Sequence, residues 1–150
     1  MAGTLGRRAW LVLFVIGLLE LVFGLTLLTL GAAGVPNVLE EIEDRTWEQI
    51  AAQSGEAGLI DYLARGWGQT NIQYGIATMA LALVPLRRRE AWSWYVLWFV
   101  PITLLVTVMR NVALGVTSVV IIDLVESVIA AAALLLAYPV MSRHAHAPGP

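Results

Sequence analysis

The sequence predicts an all-α integral membrane protein: a four-helix bundle with an amphipathic helical cap on its outer side, between the first and second spans. Three observations predict it. Of 150 residues, 59% are apolar and only 13% are charged, whereas a soluble globular chain is nearer half apolar and a quarter charged. The apolar residues fall in runs near twenty long, enough to cross about 30 Å of hydrocarbon. The basic residues gather at the connections between those runs.

The length suits one domain, 1–141. An ordinary soluble enzyme and a disordered chain are both excluded by the apolar runs. With no cysteine, disulfides, zinc–thiolate sites and thiol catalysis are excluded as well. A net charge of −2 lacks the basic face of a nucleic-acid binder, so nucleic acid is not an expected partner. No cofactor fingerprint or metal-ligand set stands out, and neither a cofactor nor a metal is expected.

The four spans are expected at about 9–30, 66–86, 91–109 and 112–137. Their connections are an outer loop over 31–65, the short basic turn Arg87-Arg88-Arg89-Glu90, and a turn at Arg110-Asn111. Residues 142–150 read as a short disordered tail, in which the His144-x-His146 spacing reads as part of a free end. No internal repeat is visible, so an inverted-repeat transporter is not indicated. The first apolar run is much longer than the 7–15 residues of a signal-peptide core, which favours a retained helix.

Arginine placement orients the bundle. Arg7 and Arg8 precede the first span, Arg87 to Arg89 join the second and third, and Arg143 follows the fourth. Arg45, Arg65 and Arg110 are spread over the other side. By the positive-inside rule both termini and the triple-arginine turn are expected to be cytoplasmic, in a plasma membrane. Trp10, Trp92, Trp94, Tyr95, Trp98 and Tyr138 would line the inner boundary and Trp67 the outer one, as interfacial aromatics do.

The outer loop holds Glu40, Glu41, Glu43, Asp44, Glu48, Glu56 and Asp61 against Arg45 and Arg65, seven acids to two bases, or −5. After Asn37, read as an N-cap, Leu39, Ile42, Thr46 and Ile50 recur at helical spacing. A second short helical segment is expected at Leu59 to Leu63. The loop therefore reads as a solvated amphipathic cap; an electronegative vestibule for cations is the sharper alternative.

The chemistry lies inside the spans. A charged residue near the bilayer centre costs roughly 2.5–3.5 kcal/mol on insertion scales and is a functional candidate by default. Glu20 lies 11 positions after Ala9, Glu126 lies 12 before Tyr138, and Gln73 lies 13 before Leu86. At about 1.5 Å per residue the three share one depth, with Asn71 and Asp123 slightly further out. Thr103 falls in the same layer, so every helix contributes a polar group.

Small residues on the same faces mark where helices meet. The first span carries Gly17, Glu20, Gly24 and Gly31 on one stripe, and the fourth carries Asp123, Glu126, Ala130, Ala133 and Ala137. The second carries Asn71, Gly75, Thr78 and Ala82, the third Thr103, Thr107 and Arg110. The carboxyls are thus expected to face neighbouring helices. Pro101 is expected to kink the third span.

About twelve strongly apolar residues in the fourth span are worth roughly −4 to −7 kcal/mol, against about +5 to +7 for its two ionised acids. Partners or protonation must close that gap. Arg110 is the one basic residue within reach and is expected to pair with Asp123. Glu20 and Glu126 are left without a cation, so at least one of them is expected to hold a proton.

Three functional readings follow. A site built from Glu20, Asp123 and Glu126, tuned by Gln73, Asn71, Thr103 and Arg110, suits a small lipophilic or cationic ligand, or protons. The same residues could instead only hold the bundle together, in an accessory subunit with a membrane-protein partner or in a homo-oligomer. The third reading is intramembrane acid/base catalysis on a lipid-soluble substrate. The lipid bilayer is a partner in all three.

Two resemblances bear on this. The lone Glu20 in the first of four spans is similar to the small multidrug-resistance transporters, which implies a coupling role for it. The long acidic loop, Asp123 and Glu126 depart from that family's pattern. The whole layout resembles small DoxX-like bacterial four-helix membrane proteins: an Arg pair before a first helix with Gly17 and Gly24, Gly75 in the second, and a basic turn before a Trp-rich third. That resemblance implies a fold and no particular activity.

Overall fold

The computed structural model describes residues 2–145 and is helical throughout, with no strand among the described residues. Residues 146–150, including His146, and the side chains of Arg143 and His144 lie outside the described residues. Helix α1 spans Ala2–Leu30, α2 Pro36–Glu43, α3 Trp47–Ala51 and α4 Ser54–Leu81. Helix α5 spans Ala91–Leu97, α6 Phe99–Ala113 and α7 Val120–Ala145.

Three stretches are long and apolar enough to cross a membrane: Arg8–Gly34, Ala91–Ala113 and Val120–Pro139. Their outward surfaces are apolar, with Val15, Val22 and Leu25 on α1 and Ile121, Val125 and Val128 on α7 all exposed. So much contiguous apolar surface on a chain of this size marks a face that meets lipid or protein rather than water.

Several boundaries differ from the sequence reading, each for a local reason. Helix α4 starts at Ser54 rather than near 66, and the expected short segment at Leu59 to Leu63 forms its first turns. Gly58 and Gly66 do not interrupt it, because a helix tolerates single glycines. At its other end Pro85 lacks an N–H, and residues 82–86 widen into a π turn in which the Arg87 N–H donates to the Ala82 carbonyl.

Pro101 breaks the third apolar stretch into α5 and α6 at Trp98. Its ring removes the bond to the Leu97 carbonyl and crowds that oxygen. The expected turn at Arg110-Asn111 is not there; both residues lie inside α6. The helix instead ends in a Schellman motif at Gly115, φ +75°, with the Val116 N–H on the Asn111 carbonyl and the Gly115 N–H on that of Val112. Residues 112–119 therefore finish α6 and the loop after it, and α7 begins at Val120 rather than 112.

The outer segment is two short helices, not one. Val35, not Asn37, is the N-cap of α2, with Pro36 in the first turn where its missing N–H costs nothing. Asp44 in the left-handed region ends α2, and Thr46 starts α3 through a capping box with Gln49. Leu39 and Ile50 are buried with Ala32 and Ala64, while Ile42 is exposed.

Polar latches fix this cap. The Glu41 carboxylate accepts from the backbone N–H groups of Thr117 (2.5 Å) and Ser118 (3.0 Å), tying α2 to the loop before α7. Arg45 bridges Glu43 at 2.9 Å and Glu56 at 2.6 Å. Arg65 donates to the Leu28 carbonyl at the end of α1 and to Asp61, which in turn accepts from the Ala32 N–H. Four of the cap's acids thus act as fasteners.

Helix α4 packs along α1 in backbone contact. A Cβ on Gly75 would lie 2.5 Å from the Gly17 carbonyl oxygen, and one on Gly24 would lie 2.7 Å from that of Gly68. Helix α7 packs against α1, α5 and α6, whereas α4 and α6 barely meet. The half of the molecule holding the α5 end is filled by Leu13, Ile16, Leu86, Leu97, Val100 and Leu134. The half nearer the cap is not filled.

Candidate functional site

The unfilled half holds a half-open cavity of about 520 Å³, within the size range of small-molecule sites. Its floor comes from α1 and α7, with Glu20, Phe23 and Thr26 on the former and Val119, Ile122, Asp123 and Glu126 on the latter. Trp67, Thr70, Asn71 and Tyr74 of α4 form one wall; Thr103, Thr107 and Arg110 of α6 form the other.

Six of the seven residues singled out in the sequence line this cavity: Glu20, Asn71, Thr103, Arg110, Asp123 and Glu126. Gln73 does not. It is exposed on α4, because a helix turns about 100° per residue and the facing positions are 67, 70, 71 and 74. Tyr74 stands where Gln73 was expected. Its hydroxyl donates to the Val100 carbonyl at 3.1 Å, and its ring meets Phe99 edge-on at 5.4 Å. The signal for Tyr74 was present in the i, i+3, i+4, i+7 spacing from Trp67.

The expected direct pairing of Arg110 with Asp123 is replaced by a relay. Arg110 donates to the Asn111 amide oxygen at 3.4 Å, and the Asn111 amide donates to the Asp123 carboxylate at 3.1 Å. The guanidinium itself lies over the Trp67 ring, 5.5 Å from its centroid, a cation–π arrangement. Asn111, buried at 4% exposure, was missed because it was assigned to a turn. Neighbouring residues on a helix point about 100° apart, so Arg110 can line the cavity while Asn111 points into the α6–α7 seam.

Glu20 and Glu126 have no hydrogen-bond partner among the described residues and turn to the cavity. The three acids do not converge as a metal-binding cluster among the described residues. They line one mostly apolar space. Asp123 is engaged by an amide; the other two carboxyls offer acceptor oxygens that no described residue occupies.

Trp94 ties two helices together. Its indole N–H donates to the Leu134 carbonyl at 2.7 Å and its ring packs on Trp98 and Tyr138, so it joins α5 to α7. Trp92 remains exposed and bonds to Glu90.

The fold and its apolar helices define an all-helical membrane protein with a carboxyl-lined cavity between its helices. No family model matches the chain, and neither the curated proteins nor the solved structures give a match.

Proposed function

We propose that the chain crosses a bacterial plasma membrane four times, as α1, α4, α5–α6 and α7, with both ends and the Arg87–Arg89 turn in the cytoplasm. Its cavity binds a small lipophilic or cationic ligand, or protons, and passes it across or out of the bilayer. Several contacts support the topology. Helix α4 runs beside α1 over both Gly–Gly crossings, so it spans the same depth despite its lower hydropathy. Arg87 lies 5.0 Å over the Trp10 ring, which puts the basic turn beside the start of α1, as the positive-inside rule requires. The order of motifs along the sequence resembles that of DoxX-like proteins, which is consistent with this architecture.

One observation carries the functional reading: Glu20 and Glu126, from different helices, border one cavity without a partner. An ionised carboxyl in a span costs roughly 2.5–3.5 kcal/mol unless a proton or cation neutralises it. A purely structural role suits Asp123, which Asn111 ties to α6; it does not account for two acids that bond to nothing.

The test uses the protein in lipid vesicles, with N,N-dimethyldecylamine as probe, tryptophan emission as the binding signal and a trapped pH dye for proton movement. Glu20→Gln and Glu126→Gln are each expected to weaken amine binding at least tenfold while keeping the thermal midpoint. Unchanged binding and proton flux in both variants would remove the site and leave only the architecture.

A further inference from the structure

Helices α4 and α6 supply two sides of the cavity, and two bridges join them. At one end the Tyr74 hydroxyl bonds to the Val100 carbonyl. At the other the Arg110 guanidinium covers Trp67. Between these two bridges α4 and α6 make few close backbone contacts, leaving a gap as long as the seven residues from Trp67 to Tyr74, about 10 Å. Its rims are the short side chains of Thr70 on α4 and of Thr103 and Thr107 on α6. Thr70 and Thr103 are exposed.

The cap end is fastened instead. Glu41 holds the loop before α7, and Arg65 with Asp61 holds the end of α1. Val119, next to the Glu41 latch, and Trp67, under Arg110, line the cavity on that side. The route with fewest contacts to break therefore runs sideways, through the gap, toward the lipid-facing surface.

We infer that the α4–α6 gap is a lateral window through which the cavity takes a single-chain amphiphilic amine dissolved in the bilayer. Its cationic head reaches Glu20 and Glu126, and its alkyl tail lies across the threonine rim into lipid. Arg110 sets the polarity. Its fixed positive charge at the Trp67 end repels a second cation, so the head settles at the Tyr74 end, where the two unpartnered carboxyls are. Phe23, Leu104 and Ile122 supply apolar wall for the first part of the tail. The ligand class rests on the reading of the cavity as a cation site; the window itself does not.

The chain has no cysteine, so single cysteines report without background. Thr107→Cys and Thr70→Cys sit on opposite rims, and Ala52→Cys is an exposed control in the cap. Each variant, in vesicles, is treated with a dodecyl maleimide that partitions into the bilayer and with a sulfonated maleimide confined to water. At both rim positions the dodecyl reagent is expected to react at least tenfold faster, and at Ala52→Cys the order reverses. Equal or faster reaction of the sulfonated reagent at both rim positions would overturn the window, because the cavity would then open to water. No amine is present in this measurement, so it fails or succeeds independently of the carboxyl site. If the window holds and N,N-dimethyldecylamine still binds Thr107→Cys equally well after alkylation, the amphiphile is overturned as its occupant.

Discussion

Asn111 on α6 donates its amide N–H to Asp123 on α7 across a buried interface, at 3.1 Å. It also accepts from Arg110. One neutral residue thus stands between the Asp123 carboxyl and the Arg110 guanidinium, both of which line the same cavity.

Asn111→Ala is expected to lower stability by about 1 kcal/mol, the scale of an interhelical polar bond in a membrane. Asn111→Ala combined with Asp123→Asn is expected to cost less than the two changes summed, because they share one contact. Thermal unfolding in detergent of the four members of the cycle checks this.

The glycine crossings give a contrast within one helix. Gly75→Val is expected to destabilise by about 1–3 kcal/mol, since the added atoms meet the Gly17 backbone, which cannot yield. Gly66→Ala meets nothing within contact distance and is expected to stabilise by about 0.5–1 kcal/mol through helix propensity. Unfolding midpoints of the two variants should move in opposite directions.

Thr78 is fully buried and its hydroxyl has no partner. Thr78→Val replaces that oxygen by a methyl of nearly equal volume and is expected to raise stability by about 1 kcal/mol. A fall in the unfolding midpoint would show that the hydroxyl is bonded in the folded protein.

The cap should loosen in acid. The Ser118 backbone N–H, helped by Thr117, holds the Glu41 carboxyl below its usual range. The Arg65 guanidinium and the Ala32 N–H do the same for Asp61, and Arg45 does so for Glu56. A carboxyl whose folded pKa is depressed contributes stability above its unfolded pKa, near 4, and loses it as pH falls through the folded value. The cap is therefore expected to stay closed from neutral pH to about 4 and to open below that. Trp47, packed against the cap core, provides an emission signal, and Glu41→Gln should shift the transition to higher pH. A cap signal unchanged down to pH 2 would count against the latches.

Much of the fold was legible. Periodicity showed helices and apolar length showed which could enter a membrane, because both depend on neighbours in sequence. Helix ends were less so. Gly115 and Pro85 are breakers whose effect appears one to five residues away, in the carbonyls they leave or capture. That offset moved the boundary between α6 and α7 and carried Asn111 out of view.

For the candidate site, a shared level along the helices was readable by counting and direction only partly. Glu20, Asp123 and Glu126 lie on faces marked by Gly17, Gly24, Ala130 and Ala133, which small side chains betray as contact faces. Gln73 and Tyr74 share that depth, and only the rotation of α4 against α1 chose between them. That rotation is set by the two Gly–Gly crossings.

What the sequence determined alone is the class of object: long apolar helices, an acidic segment between two of them, and carboxyls within the apolar runs. These follow from composition and spacing along one chain. The tertiary structure decided that α4 and α6 stand apart while both lean on α1 and α7, and so that the carboxyls border a space instead of a seam. The reason is physical. Burial per residue depends on local pattern, but a gap depends on how four helical bodies divide their contacts, and no single stretch of sequence carries that information.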